Sequence, residues 1–176
     1  MTERGRPLAL VPAEFRRIGH ALVDAIADHL ASLPSRPVTR GSSPTAIRAL
    51  LDGDAPLPAE GRDPAALVDG VARLLFEQSL FNGHPRFFGY ITSSPAPIGM
   101  FGDFLAAALN QNVGAQQLSP AATEIEGQVV RWIAELIGFP MDGGGGLGGG
   151  LLVSGGNMAN AVCFLAARAA KAPWDV

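Results

Sequence analysis

The stretch Gly150-Leu151-Leu152-Val153-Ser154-Gly155-Gly156-Asn157-Met158-Ala159-Asn160 decides the fold of the C-terminal part of this chain. Its apolar run, Leu151–Ser154, predicts a short buried β-strand, and the residues from Asn157 to Lys171 predict a helix. Gly155 and Gly156 stand where the strand would stop and the helix begin. Such a junction presents backbone N–H groups and the positive end of a helix dipole to one point, which suits an anion, usually a phosphate.

The glycine turn also has a plainer interpretation, an ordinary strand-to-helix connection in an α/β protein. Asn157 favours ligand binding because its side-chain amide adds a hydrogen-bond donor at the helix start. Two familiar phosphate loops do not match. The Gly-Lys-Ser/Thr ending of a nucleotide P-loop is missing, and so is the third glycine of the dinucleotide fingerprint.

Composition limits the class of protein. The 176 residues are 48% hydrophobic with a net charge of −3, which predicts a globular protein. Their number suffices for one sizeable core, or for one domain plus part of another. Thirteen basic residues face sixteen acidic ones, and this balance argues against a nucleic-acid binder. The apolar run Leu8–Val11 is too short for a membrane span or a secretion signal, so we expect no membrane partner and a cytoplasmic location. The single cysteine, Cys163, has apolar neighbours that predict a buried, inert thiol, and no metal-binding spacing is present.

The first half of the chain predicts three helices. One runs from Pro12 to Leu33, one from Pro44 to Leu51 behind the cap Ser43, and one starts at Asp63-Pro64. The inner face of the third is predicted at Leu67, Val71, Leu74, Leu75 and Leu80. His20 and His29 are predicted on solvated positions of the first helix. Because three such helices cannot bury their apolar stripes on each other, we expect them to pack on a partner surface.

The second half predicts two further helices before the glycine turn. The first starts at Pro95 or Pro97 and ends near Asn110, and the second runs from Pro120 to Ile137 behind Ser119. Gly138 is predicted as the glycine that stops this helix. The glycine-rich run Gly143–Gly150 predicts a loop.

Three groups of residues outside the turn could carry chemistry. The block His84–Tyr90 holds aromatic rings, an imidazole and a guanidinium that suit a planar anionic ligand; the alternative is an aromatic core corner with a hydrogen-bonded histidine. The hydroxyls of Thr92–Ser94 could contact an anion or a carboxylate, or could cap the next helix. Glu124 and Glu126 could act as acids or bases, or could compensate the helix dipole.

In their order along the chain, these segments resemble the N-terminal portion of the group II pyridoxal-phosphate-dependent amino-acid decarboxylases, the aromatic-amino-acid and glutamate decarboxylase-like family. The matching segments are His84-Pro-Arg-Phe-Phe-Gly-Tyr90, Thr92–Ser94, Leu118–Glu126, Trp132–Pro140 and Leu151–Asn160.

The resemblance implies an α/β fold in which a helical segment, residues 1–83, clasps the partner subunit of a homodimer. Residues 84–176 would then be the first part of a truncated large domain of fold type I that binds pyridoxal 5'-phosphate. It implies that Gly155, Gly156 and Asn157 hold the cofactor phosphate, although many members have serine where Asn157 stands. It places Thr92, His84 and Tyr90 on the side of the amino-acid substrate, and it implies no metal.

The implied activity of the complete protein is decarboxylation of an L-amino acid to an amine and carbon dioxide. The lysine that binds the cofactor aldehyde follows a histidine in this family, and Lys171, the one lysine here, does not match it. We therefore expect the 176 residues alone to be inactive. Two alternatives remain: a non-catalytic dimerisation or regulatory module, or relic half-site, and a small phosphate-binding α/β protein. No residue marks which amino acid is the substrate.

Overall fold

The computed structural model describes residues 9–141 and 149–172. The chain divides into two compact units, Met1–Met100 and Phe101–Val176. In chain order the helices of the described residues are α1 (Pro12–Ser32), α2 (Pro44–Leu50), α3 (Pro64–Gln78), α4 (Pro97–Leu109), α5 (Pro120–Leu136) and α6 (Gly156–Lys171), and one 3-10 turn, Leu33–Ser35, follows α1. The functional boundary predicted after residue 83 falls inside the first unit and stays a prediction about the complete protein.

Local sequence signals set where the helices begin. The Ser43 hydroxyl accepts a hydrogen bond from the Ala46 amide at 3.2 Å, and the Asp63 carboxylate accepts one from the Ala66 amide at 2.8 Å. In both helices a proline follows the cap, and its fixed φ already suits the first helical turn. The predicted helices are confirmed, and their observed ends differ from the predicted ones by about two residues at most.

The contact between α1 and α3 uses small side chains. Ile18 on α1 and Ala72 on α3 are buried, and the groove between the two helices is also lined by Ala21, Ala25 and Ala65. Alanines let the two backbones approach closely, so the row of α3 that contains Ala65 and Ala72 faces α1.

The predicted inner face of α3 therefore does not pack on α1, and of its five residues Leu74 alone is partly covered. Leu67, Val71, Leu75 and Leu80 are 48%, 46%, 54% and 42% exposed, because the alanine row and not the leucine row meets α1. A sizeable core is also not found in the described residues. Their buried apolar side chains are Ile18, Leu33, Ala72 and Ala134.

The end of α5 confirms the stop predicted at Gly138. Gly138 has φ +68°, and its amide donates to the Glu135 carbonyl at 3.1 Å. The next amide, that of Phe139, donates to the Ala134 carbonyl at 2.8 Å. This is the Schellman arrangement, and its left-handed residue favours glycine.

The strand predicted over Leu151–Ser154 is wrong for the described residues, which form helices and connecting segments without a β-strand. A strand needs a neighbouring strand to accept its N–H groups, and the Leu152 amide instead donates to a side chain on α5. The β part of the predicted α/β class is thus not seen in the described residues. Most of the predicted Gly143–Gly150 loop lies outside them.

Candidate functional site

The turn before α6 has a backbone conformation that favours glycine. Gly155 has φ +108° and ψ 174°, a region that side-chain-bearing residues rarely adopt. Its amide donates to the Val153 carbonyl at 2.8 Å, and its carbonyl accepts from the Ala159 amide at 3.1 Å. Ala159 is the first residue of α6 whose amide has a helical acceptor, so the preceding amides of Gly156, Asn157 and Met158 have none within the helix.

These three amides have the arrangement that an anion site requires, and phosphate binding here stays a prediction. They lie at the positive end of the α6 dipole, where a phosphate is favoured by both hydrogen bonding and charge. Apart from the chain neighbours and the backbone of α6 itself, no described atom lies within 4 Å of the place that a Cβ would occupy on Gly155 or Gly156, so the described residues leave the approach to the turn open. The residues present at this turn therefore fit the phosphate end of a phosphorylated cofactor.

One face of α5 holds the segment that leads into the turn. The Glu126 carboxylate accepts the Leu152 amide at 2.8 Å. One turn further along α5, Val130 lies so close to Gly150 that a Cβ there would be 2.8 Å from its Cγ1. Glu124 instead accepts from the side chain of Gln116 at 3.1 Å. The two glutamates, indistinguishable by sequence, thus have different contacts.

The His84 corner lies in the first unit. His84 is 2% exposed, and its Nδ1 accepts from the Arg86 amide at 3.0 Å. This contact leaves the proton on Nε2, which donates to the Arg36 carbonyl at 2.8 Å. Both ring nitrogens therefore bind the main chain, as expected for the alternative of a hydrogen-bonded core histidine. Substrate contact by His84 stays a prediction.

The other two predicted substrate residues also lie in the first unit. Tyr90 is 84% exposed, has φ +60°, and its ring centroid is 6.1 Å from that of Phe87. Thr92 is exposed in the loop before α4. This loop returns to Gly83, where a Cβ would lie 3.3 Å from Pro95 Cδ. The structure thus brings the Thr92 loop next to the residue that precedes His84, while the glycine turn belongs to the second unit.

Comparison with known proteins decides the family. Residues 44–173 match the model of the pyridoxal-dependent decarboxylase conserved domain. The chain belongs to this family. The resemblance described from the sequence motifs is therefore confirmed, and the pyridoxal-dependent family implies pyridoxal 5'-phosphate as the cofactor.

Individual relatives agree with the family assignment. The chain is 32% identical to an aromatic-L-amino-acid decarboxylase of Bacillus atrophaeus over 169 residues, which cover 96% of this chain and 34% of the relative. It is 37% identical to a tyrosine decarboxylase of Oryza sativa subsp. japonica over 143 residues, covering 79% and 27%. The crystal structure of Rhodiola rosea 4-hydroxyphenylacetaldehyde synthase superimposes with a TM-score of 0.73 at 27% identity, covering 95% of this chain and 35% of that one. The chain thus spans 27–35% of the length of these relatives.

The lysine of this decarboxylase-family chain is far from the glycine turn at Gly155 and Gly156. Lys171 is the last residue of α6, which spans 16 residues from Gly156. At 1.5 Å per residue, the two ends of the helix are about 22 Å apart. Lys171 therefore does not supply an amine to a cofactor whose phosphate is held by the turn.

His29 makes an aromatic contact that the sequence pattern did not predict. The prediction of solvation is confirmed for His20, which is exposed, but it is wrong for His29, whose ring stacks on Phe76 with centroids 4.3 Å apart. Burial, and then the charge of Arg36, lower the pKa of His29. The sequence contained an indication of this burial. His29 follows Leu22 by seven residues, so the two side chains lie on the same face of α1.

Cys163 also differs from its prediction. The thiol is exposed, because the apolar side chains around it on α6 are themselves uncovered, with Phe164 67% and Leu165 59% exposed. Among the described residues, no three His, Cys, Asp or Glu side chains form a possible metal site. No helix in the described part of the chain has the length and hydropathy needed to cross a membrane.

Proposed function

We propose that the complete protein decarboxylates an L-amino acid with pyridoxal 5'-phosphate, and that this chain provides the phosphate end of the cofactor site. Family membership supports the reaction class. The observation that carries the assignment of the site is the turn at Gly155, whose positive φ places three amides without helical acceptors at the start of α6. The fold-type-I large domain is part of this proposal, and the likeness to the Rhodiola rosea enzyme supports it.

The residues of the turn have separate tasks in this proposal. Gly156 and Asn157 donate their amides to the phosphate, and the Asn157 side chain adds a further donor. Gly155 supplies the backbone angle that aims these donors. When bound, pyridoxal phosphate withdraws electrons from the α-carbon of the substrate and so favours loss of the carboxylate.

The residues of the first unit are proposed to line the substrate side. Thr92 would offer its exposed hydroxyl to the amino acid, and Tyr90 would offer its exposed ring. We propose an aromatic amino acid as the substrate, because relatives of this chain are named as decarboxylases of tyrosine or of aromatic L-amino acids. His84 would shape this region from behind, through its bonds to the main chain of Arg36 and Arg86.

A second reaction has one specific observation in its favour. The structural relative from Rhodiola rosea is named as an aldehyde synthase. The two reactions are told apart by the product that the full-length protein makes from tyrosine, an amine in the first case and an aldehyde in the second.

We further propose that the N-terminal helices contact a second copy in a homodimer. The support is the leucine row of α3, including Leu67, Val71 and Leu75, which is half exposed and faces away from α1. Surfaces of this kind mark protein–protein contacts more often than isolated exposed leucines do. The molar mass of the full-length protein in solution tests this point. A cytoplasmic location stays a prediction.

The cofactor assignment is tested by Gly156→Val in the full-length protein. The valine side chain would stand beside the donors and prevent close approach of the phosphate. We expect pyridoxal phosphate binding, followed by its visible absorbance during titration, to be lost or weakened at least tenfold (about 1.4 kcal/mol or more). Wild-type affinity in this variant would refute the proposed site. Gly102→Val is the control, since Gly102 lies in α4 and no described atom outside that helix's own backbone and the two chain neighbours is within 4 Å of its Cβ position.

A further inference from the structure

We propose that Glu126 is a positioning residue of the phosphate turn, and that it acts by holding the Leu152 amide. This inference rests on the proposed function, because it concerns the same turn. The geometry behind it lies wholly within the second unit: a carboxylate on α5, an amide three residues before Gly155, and a distance of 2.8 Å.

The hydrogen bond joins two parts of the chain that are far apart in sequence. Glu126 and Leu152 are separated by 26 residues. Glu126 lies one turn before Val130, so the two residues share a face of α5. Val130 contacts Gly150 and Glu126 binds Leu152, and this face therefore holds the segment at two points.

Glu126 and Val130 support the segment in different ways. Among the described residues, the Glu126 carboxylate accepts the Leu152 amide and the Val130 side chain lies against Gly150. Gly150 on Val130 limits how close the segment lies, but a contact between apolar atoms has little directional preference. A hydrogen bond to a carboxylate does have one, and it is stronger than a bond between neutral groups. Glu126 therefore determines which residue of the segment stands opposite α5.

The position of the segment sets the position of the phosphate donors. Leu152 is followed by Val153, whose carbonyl accepts from Gly155, and the Gly155 carbonyl in turn accepts from Ala159. A shift of the segment by one residue would move the start of α6 by about 3.3 Å. Hydrogen bonds to a phosphate weaken steeply over such distances. Glu126 thus pre-organises the turn without touching the phosphate.

The test uses four variants of the full-length protein. Glu126→Ala removes the acceptor, Glu126→Gln keeps its reach and removes its charge, and Glu126→Asp keeps the charge and shortens the side chain by one methylene. Glu124→Ala is the matched control, because Glu124 is on the same helix and binds Gln116 instead.

Two readouts are measured. One is the dissociation constant of pyridoxal phosphate, and the other is the exchange rate of the Leu152 amide in the cofactor-free protein. We expect Glu126→Ala and Glu126→Asp to bind the cofactor about tenfold more weakly and to exchange Leu152 faster, the size expected for loss of a hydrogen bond to a charged group. Glu126→Gln should stay within about threefold of the wild type, because the amide oxygen still accepts. Glu124→Ala should equal the wild type in both readouts.

The outcomes separate this inference from the proposed function. Faster Leu152 exchange with unchanged cofactor affinity would overturn the positioning role, and so would unchanged exchange in Glu126→Ala. Equal losses of pyridoxal phosphate affinity in Glu126→Gln and Glu126→Ala would show that the charge of Glu126 acts and that its place as acceptor of the Leu152 amide does not. This outcome would also overturn the positioning role. If Gly156→Val binds pyridoxal phosphate normally, the proposed function itself fails.

The two conservative variants decide the matter if Glu126→Ala does not fold. Glu126→Gln keeps the reach of the side chain, whereas Glu126→Asp keeps its charge. Tighter cofactor binding by Glu126→Gln than by Glu126→Asp supports the positioning role, and the reverse order or equal affinities would overturn it.

Discussion

Replacing Gly155 by alanine perturbs the phosphate turn through its backbone alone. Gly155 has φ +108° and ψ 174°, and no described atom beyond its two chain neighbours lies within 4 Å of the position that a Cβ would take. The new methyl group therefore meets no neighbour, and the cost comes from the conformation. For a residue other than glycine, this region costs about 1–3 kcal/mol.

The strain has no easy route of relief. A change of φ at Gly155 would swing α6 relative to the segment before it, because the Gly155 amide is bound to Val153 and its carbonyl to Ala159. Relief of the strain thus requires opening of the first turn of α6. A cost of about 1–3 kcal/mol raises the open population by a factor of about 5 to 150.

Amide hydrogen exchange of the full-length protein measures this population. The Ala159 amide, which donates to Gly155, should exchange about 5- to 150-fold faster in Gly155→Ala than in the wild type. The amide of Ala134, a buried residue within α5, is the internal reference for opening of the rest of the unit. The apparent affinity for pyridoxal phosphate should fall together with the population of the closed turn.

The neighbouring glycine provides the matched control. Gly156 is the first residue of α6, does not have a positive φ, and likewise has no atom within 4 Å of its Cβ position. Gly156→Ala should leave the Ala159 exchange rate unchanged or slow it, because alanine favours the helix by up to about 1 kcal/mol over glycine. Backbone strain would be refuted as the cause if both substitutions changed the exchange rate of the Ala159 amide equally, or if Gly155→Ala left that rate at the wild-type value.

Two further predictions concern side chains outside the turn. Burial, and then the charge of Arg36, lower the pKa of His29 from its ordinary value of 6.5. As the pH falls, the imidazole is therefore protonated in the unfolded chain before it is protonated in the folded chain. The free energy of unfolding contributed by neutral His29 is fully present above pH 6.5 and is lost as the pH falls through the folded-state pKa. Amide exchange near the end of α1, corrected for its intrinsic pH dependence, should therefore become faster below pH 6.5 in the wild type. It should not do so in His29→Phe, which keeps an aromatic ring against Phe76. The same pH response in both proteins would contradict this prediction. The Thr123 hydroxyl is buried with no hydrogen-bond partner among the described residues, so Thr123→Val should stabilise α5 against local unfolding by about 1 kcal/mol. Faster exchange in α5 of this variant would show instead that the hydroxyl binds a group in the full-length protein.

Some features of this protein were determined by the sequence because they depend on a few neighbouring residues. The caps Ser43 and Asp63 satisfy amides three residues away, and Gly138 ends α5 through its own φ. The glycine turn was also predicted locally, and its positive φ at Gly155 agrees with that prediction. The order of the motifs was sufficient for the family, which the match over residues 44–173 confirms.

Other features were decided only by the tertiary structure, because they depend on which surfaces meet. The sequence shows both an alanine row and a leucine row on α3, and close approach of the backbones selected the row of Ala72 for α1. An apolar run such as Leu151–Ser154 forms a strand only beside another strand, and here α5 lies next to it instead. The difference between Glu124 and Glu126 has the same origin, since one of two similar carboxylates meets an amide 26 residues away. Hydrogen bonds and φ angles within a turn are properties of the local chain, whereas the choice of a helix face or an acceptor is made by the packing of distant segments.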